Sequence, residues 1–85
     1  MEYIVSFSSF YKAAYARDML EQHGISSTLK KLPAELVTSC GTGLYLRTDS
    51  IQQAQSVLND KRIQPRGIYL IEREGKNNKK FIRLR

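Results

Sequence analysis

Apolar positions along the chain switch between an alternating period and a helical one, and each switch marks an element. Residues 2–7, EYIVSF, are rich in β-branched and aromatic side chains and read as a strand. Ser8 or Ser9 then offers an N-cap. From Phe10 onward, Phe10, Ala13, Ala14 and Leu20 recur at helical spacing, while Lys12, Asp18, Glu21 and Gln22 occupy other faces. Gly24 suits the left-handed position after a helix end, and His23 lies near the negative end of the helix dipole. Residues 25–32, ISSTLKKL, form a weaker strand, polar enough to be an edge, and Pro33 ends it. AELVTS follows as a connection with room for one helical turn. GLYLRT, residues 43–48, alternates cleanly, with Leu44 and Leu46 on one face and Tyr45 and Arg47 on the other. Thr48, Asp49 or Ser50 caps a second helix, whose buried stripe is Ile51, Ala54 and Leu58 with Val57 beside them, until Asn59 and Asp60 end the pattern. GIYLIER, residues 67–73, is a fourth strand.

The order β-α-β-β-α-β predicts an α+β fold: a ferredoxin-like antiparallel sheet with both helices on one face. The expected core contains Phe10, Leu20, Leu44, Leu46, Ile51, Ala54 and Leu58. The two halves match in element type, with no convincing residue-level repeat. Residues 1–74 form the expected domain and 75–85 a basic extension. From Glu74 onward EGKNNKK reads as a turn and FIRLR as a fifth strand, with a disordered arm as the competing reading.

A chain of 85 residues suffices for one domain. At this size only about two-thirds of the unfolded surface is hidden, so the fold is marginal. One cysteine forms no internal disulfide, which points to a reducing compartment. No apolar run approaches the roughly 20 residues of a membrane span. No basic segment precedes the apolar stretch of MEYIVSFSSF, as a signal peptide would require. The expected location is the cytoplasm. The net charge is +6, yet the first 75 residues carry nine basic against eight acidic side chains. Lys76, Lys79, Lys80, Arg83 and Arg85 supply the rest, which assigns the basic character to the tail.

A metal site needs about four clustered ligands, and one Cys with one His falls short. Neither a cofactor nor a metal is expected. The same shortage argues against a Cys–His hydrolase, and His23 has an ordinary role at a helix end. No phosphate loop or dinucleotide fingerprint is present, GTG at 41–43 being too short for either. Tyr45, with Arg47 beside it and Tyr3 or Tyr69 joining, could present aromatic rings on an open sheet as RNA-recognition modules do. CGTGLYLR nevertheless lacks that module's alternating aromatics and basic-Gly-aromatic opening, so no sequence-specific nucleic-acid binding is expected.

Cys40 admits two readings. Free cysteine is among the most buried residue types, and packing alone could explain it. It also stands at a loop-to-strand junction among Ser39, Gly41, Thr42 and Gly43, small residues that leave room for a substrate. Successive N–H groups around 41–43 could form a concave nest that favours a thiolate.

PAELVTSCG, following EYIVSF and a helix ending in HGI, resembles the motif of the selenium/sulfur-carrier-like family of small bacterial and archaeal proteins. Pro33, Glu35, Leu36, Ser39, Cys40 and Gly41 carry the resemblance, which extends from about residue 2 to residue 72 and includes GIYLI. Val37 and Thr38 depart from it, standing where the family usually has two more small hydroxyl residues. The resemblance implies that Cys40 accepts sulfur or selenium as a persulfide or selenosulfide and hands it to a partner enzyme. Ser39, Gly41, Thr42 and Gly43 would stabilise the anion, while Pro33 and Glu35 shape the loop. Donor and acceptor proteins would be the partners, and the protein a carrier or accessory more than a turnover enzyme. The alternative is a non-catalytic ferredoxin-like module that homodimerises or binds a small ligand, with Cys40 packed.

Overall fold

The computed structural model describes residues 1–37 and 41–85; Thr38, Ser39 and Cys40 lie outside the described residues. The chain runs through β1 (Glu2–Ser6), α1 (Phe10–Gln22), β2 (Ser27–Lys31), a 3-10 turn (Ala34–Leu36), β3 (Thr42–Arg47), α2 (Ile51–Asp60), β4 (Gly67–Arg73) and β5 (Lys79–Arg83). The strands form one sheet in the order β2-β3-β1-β4-β5, and every neighbouring pair is antiparallel. β3 lies between the parallel β1 and β2, and β1 between the parallel β3 and β4. These are two interleaved split βαβ units, the ferredoxin-like arrangement. The C-terminal segment continues the sheet, with Phe81 opposite Ile71 and Arg83 opposite Tyr69.

Alternation along each strand decides which face a side chain joins. Tyr3, Val5, Phe7, Leu44, Leu46 and Ile68 pack against Ala13, Ala16 and Leu20 of α1 and Ile51, Ala54, Val57 and Leu58 of α2. Tyr3 therefore faces the helices and is 6% exposed, and it does not join Tyr45 and Tyr69 on the other face. Ile4 sits opposite both Tyr45 and Tyr69 and heads a second cluster with Leu32, Leu36 and Ile71.

Helix α1 corrects one expected core residue. Ala13, Ala16 and Leu20 form its buried stripe, whereas Phe10 is 51% exposed and Ala14 only half-buried. With Ala16 in the stripe, Phe10 falls about 90° round the helix from the stripe's centre. Its ring instead meets that of Tyr11 edge-on. The Ser9 hydroxyl accepts the Lys12 N–H at 3.2 Å and so caps the helix. In α2 the Ser50 side chain makes no cap hydrogen bond; Thr48 Oγ1 instead accepts the Ser50 N–H at 3.1 Å.

Both helices end in the same way. The Gly24 N–H donates to Glu21 O and the Ile25 N–H to Leu20 O. Likewise Arg62 donates to Asn59 O and Ile63 to Leu58 O, so each end is a Schellman motif closed by an isoleucine. The segments Leu20–Ile25 and Leu58–Ile63 are thus equivalent, a repeat hidden by their different polar residues.

Leu58 is 2% exposed beneath α2, and Leu58→Ala should lower stability by about 2–5 kcal/mol, read from the denaturant midpoint. The Glu74 N–H to Asn78 O and Leu84 N–H to Ile68 O bonds set the phase of the β4–β5 ladder. Amides of Lys80, Ile82 and Leu84 should therefore exchange slowly, and those of Phe81 and Arg83, on the open edge, quickly. Equal exchange along the segment would mean that β5 is not paired.

Candidate functional site

The connection between β2 and β3 crosses the helix-free face of the sheet. Extended pairing persists one step beyond β2, where the Leu32 N–H donates to Gly41 O at 2.8 Å and closes the loop at its base. Pro33, at φ −58° and ψ 149°, turns the chain into the 3-10 segment. The Leu36 N–H then donates to Pro33 O at 2.9 Å. Leu32 and Leu36 are buried in the cluster with Ile4 and Ile71, so two leucines hold the loop on the sheet. Between and beyond them Ala34, Glu35 and Val37 are exposed. Gly41 is also exposed, with open space where a Cβ would stand. Cys40, Ser39 and Thr38 fall outside the described residues, between the exposed Val37 and the exposed Gly41.

Thr42 and Gly43 are the first residues of β3, opposite Lys31 and Lys30. An anion-binding nest requires a left-handed residue. Positive φ among the described residues occurs at Gly24, Arg62 and Gly75, and Gly43 lies within the extended β3. Gly43 serves the packing instead. A Cβ there would meet Leu32 Cδ2 at 2.5 Å and the Val5 carbonyl at 2.8 Å. Leu32 and Leu36 lie outside the expected core, Leu36 having entered only as a motif residue, although their spacing of four residues across a proline is a visible apolar signal.

Two tyrosine–cation pairs flank this cluster. Lys30 Nζ lies 5.3 Å from the Tyr45 ring centroid, and the Tyr45 hydroxyl donates to Lys31 O at 3.0 Å. Burial holds the Tyr45 phenol above its ordinary pKa. Arg83 Cζ lies 5.7 Å from the Tyr69 ring, and its guanidinium donates to the Arg66 and Arg85 carbonyls. At the opposite end of the sheet Glu2 bridges Arg73, at 3.0 Å, and Arg47, at 3.9 Å. The Arg73 hydrogen bond lowers the Glu2 pKa. His23 Nδ1 lies 2.9 Å from Met19 O at the far end of α1, the helix-end position expected of it.

Strand directions sort the charges. The end of the sheet at which the loop begins and ends collects Lys12, Lys30, Lys31, Lys61, Arg62, Arg66, Arg83 and Arg85 against Glu35 and Asp60. Six basic and six acidic residues remain elsewhere, so the net +6 resides at the loop end. The tail contributes only Arg83 and Arg85 to it, because β5 runs back from the far end. Two grooves of about 260 and 270 Å³ are present, and neither is lined by residues 41–43. Among the described residues no helix is long and apolar enough to cross a membrane.

Residues 2–70 match a family model described as "Putative Se/S carrier protein-like". Neither the curated proteins nor the solved structures give a match to the chain.

The contrast between the two glycines is testable. Gly43→Ala should cost about 1–3 kcal/mol by forcing Leu32 from the sheet. Gly41→Ala should change stability by less than about 0.5 kcal/mol, as expected of an uncrowded surface position. Paired urea titrations decide it, and equal effects would refute the packing role given to Gly43.

Proposed function

The chain belongs to the Se/S carrier protein-like family, and from that premise we propose that it carries sulfur or selenium on Cys40 between a donor and an acceptor protein. The family match over residues 2–70 is the observation that carries this reading. The geometry around the loop supports it. Leu32 and Leu36 hold the loop on a rigid sheet, while Val37 and Gly41, the described residues on either side of 38–40, are exposed. Lys30 and Lys31 stand opposite Gly43 and Thr42, and a cationic surrounding favours a thiolate over a thiol.

In the proposed cycle the Cys40 thiolate attacks the outer sulfur of a donor persulfide. A sulfur–sulfur bond forms on Cys40, the donor's own sulfur–sulfur bond breaks, and the donor departs as a thiolate. Attack by an acceptor thiolate on the outer atom reverses this exchange, so the cycle needs no external oxidant or reductant. With selenium, the carried form is a selenosulfide. Ser39, Gly41 and Thr42 flank the anion, Pro33 and Glu35 shape its loop, and Gly43 acts through Leu32. A thiol used in this way works in a reducing compartment, in keeping with a cytoplasmic location.

The test is alkylation of Cys40 against pH, followed by mass spectrometry after incubation with cysteine and a cysteine desulfurase. The expected alkylation profile lies at lower pH than that of a free thiol. Cys40 should gain one sulfur that reductant removes, and Cys40→Ser should gain none. A thiol that alkylates only after unfolding would refute the reading and leave a module with a packed cysteine.

A further inference from the structure

We infer that the cleft at the C-terminal end of α2 binds a small oxyanion-bearing molecule, anchored by Arg62. The inference is independent of the carrier reading. It begins with the two equivalent helix ends. At the left-handed position α1 places Gly24, at φ 77°, whereas α2 places Arg62, at φ 56°. Glycine adopts that conformation without steric penalty and arginine does not. Local stability therefore favours glycine at both ends, and only one has it.

Complementing the helix dipole does not account for the exception, because Lys61 already puts a cation in the same turn. Arg62 is exposed and forms no ion pair with a described residue. What distinguishes it is its place on the wall of a cleft of about 270 Å³. Pro65 gives this cleft apolar surface, above a floor formed by the nearly buried Leu58, Ile63 and Ile68. Its polar wall is Gln55, Asn59, Gln64, Arg62 and Arg85, with no carboxylate side chain among them.

Those groups define the ligand. A guanidinium pairs with carboxylate or phosphate oxygens through two parallel hydrogen bonds, and side-chain amides supply further donors. The small apolar surface at Pro65 suits a short hydrocarbon portion. The volume lies just below the usual range of small-molecule sites, which suits a compact metabolite better than a nucleotide. The cleft also opens at the end of the molecule that carries the net positive charge, where anions concentrate.

The experiment is an NMR titration of the full chain with phenyl phosphate, run in parallel on Arg62→Gly and Lys61→Ala. Both variants remove one cation from the same end, but only the first touches the cleft. Saturable shifts are expected at Gln55, Asn59, Arg62 and Gln64. Arg62→Gly should weaken binding by about tenfold or more, as loss of a charged hydrogen-bond pair does, and Lys61→Ala should leave it nearly unchanged. Arg62→Gly should also raise the thermal midpoint, because it relieves the left-handed backbone. Non-saturable shifts spread over all basic residues, equal weakening in the two variants, or a lowered midpoint for Arg62→Gly would each overturn the inference.

Discussion

Strand β1 has neither a free edge nor a free face. It pairs with β3 on one side and β4 on the other, and its Ile4, Val5 and Ser6, with Phe7 just beyond it, are almost completely buried. A strand in that position must satisfy every backbone group through its neighbours and cover both of its surfaces with apolar side chains. Helices α1 and α2 cover one surface. The other is covered by a connection, residues 32–36, together with Tyr45, Tyr69 and Phe81. Ser6, the one buried polar side chain on β1, directs its hydroxyl to Gly67 O at 3.4 Å. The position of the β2–β3 loop thus follows from the need to bury Ile4. A loop that served function alone could stand free of the sheet, but this one completes the core.

That double role separates the residues of the loop by the work they do. Leu32, Leu36 and Gly43 form a packing unit in which a missing Cβ admits a leucine, and their substitution acts through stability. Glu35, Val37 and Gly41 lie on the solvent side, where substitution leaves the core intact. The packing support of the loop can therefore be altered separately from its solvent-exposed residues.

The sequence disclosed the elements more readily than their surroundings. Tyr3, Ile4 and Val5 are consecutive apolar residues, the pattern of a strand buried on both faces, yet a two-layer reading leaves Ile4 without a partner. Alternation in GLYLRT correctly separated Leu44 and Leu46 from Tyr45, because only one face of β3 is fully apolar. Phe10 failed for a geometric reason: two adjacent alanines, Ala13 and Ala14, obscured a stripe that in fact turns toward Ala16. Composition also placed the positive charge in the tail, whereas pairing of β5 with β4 divides that tail between opposite ends of the sheet. The paired helix ends escaped notice because a Schellman motif shows itself through glycine, and Arg62 stands in one glycine's place. For the candidate site, the motif residues were legible as types and spacing. The packing role of Leu32 and of the motif's Leu36 showed only as an apolar spacing of four residues, because nothing in the sequence pairs them with Ile4.

Charge sorting along the sheet gives the molecule a polarity that its composition conceals. One end carries eight cations and two anions, and the remainder is neutral in sum. Such a body experiences a torque in the field of any negatively charged surface and turns its loop end toward that surface before contact. Rotational search is shortened accordingly, while association slows as salt screens the field beyond about 8–10 Å. Approach is thereby biased toward the end of the sheet at which residues 33–40 enter and leave, whatever the chemistry that follows.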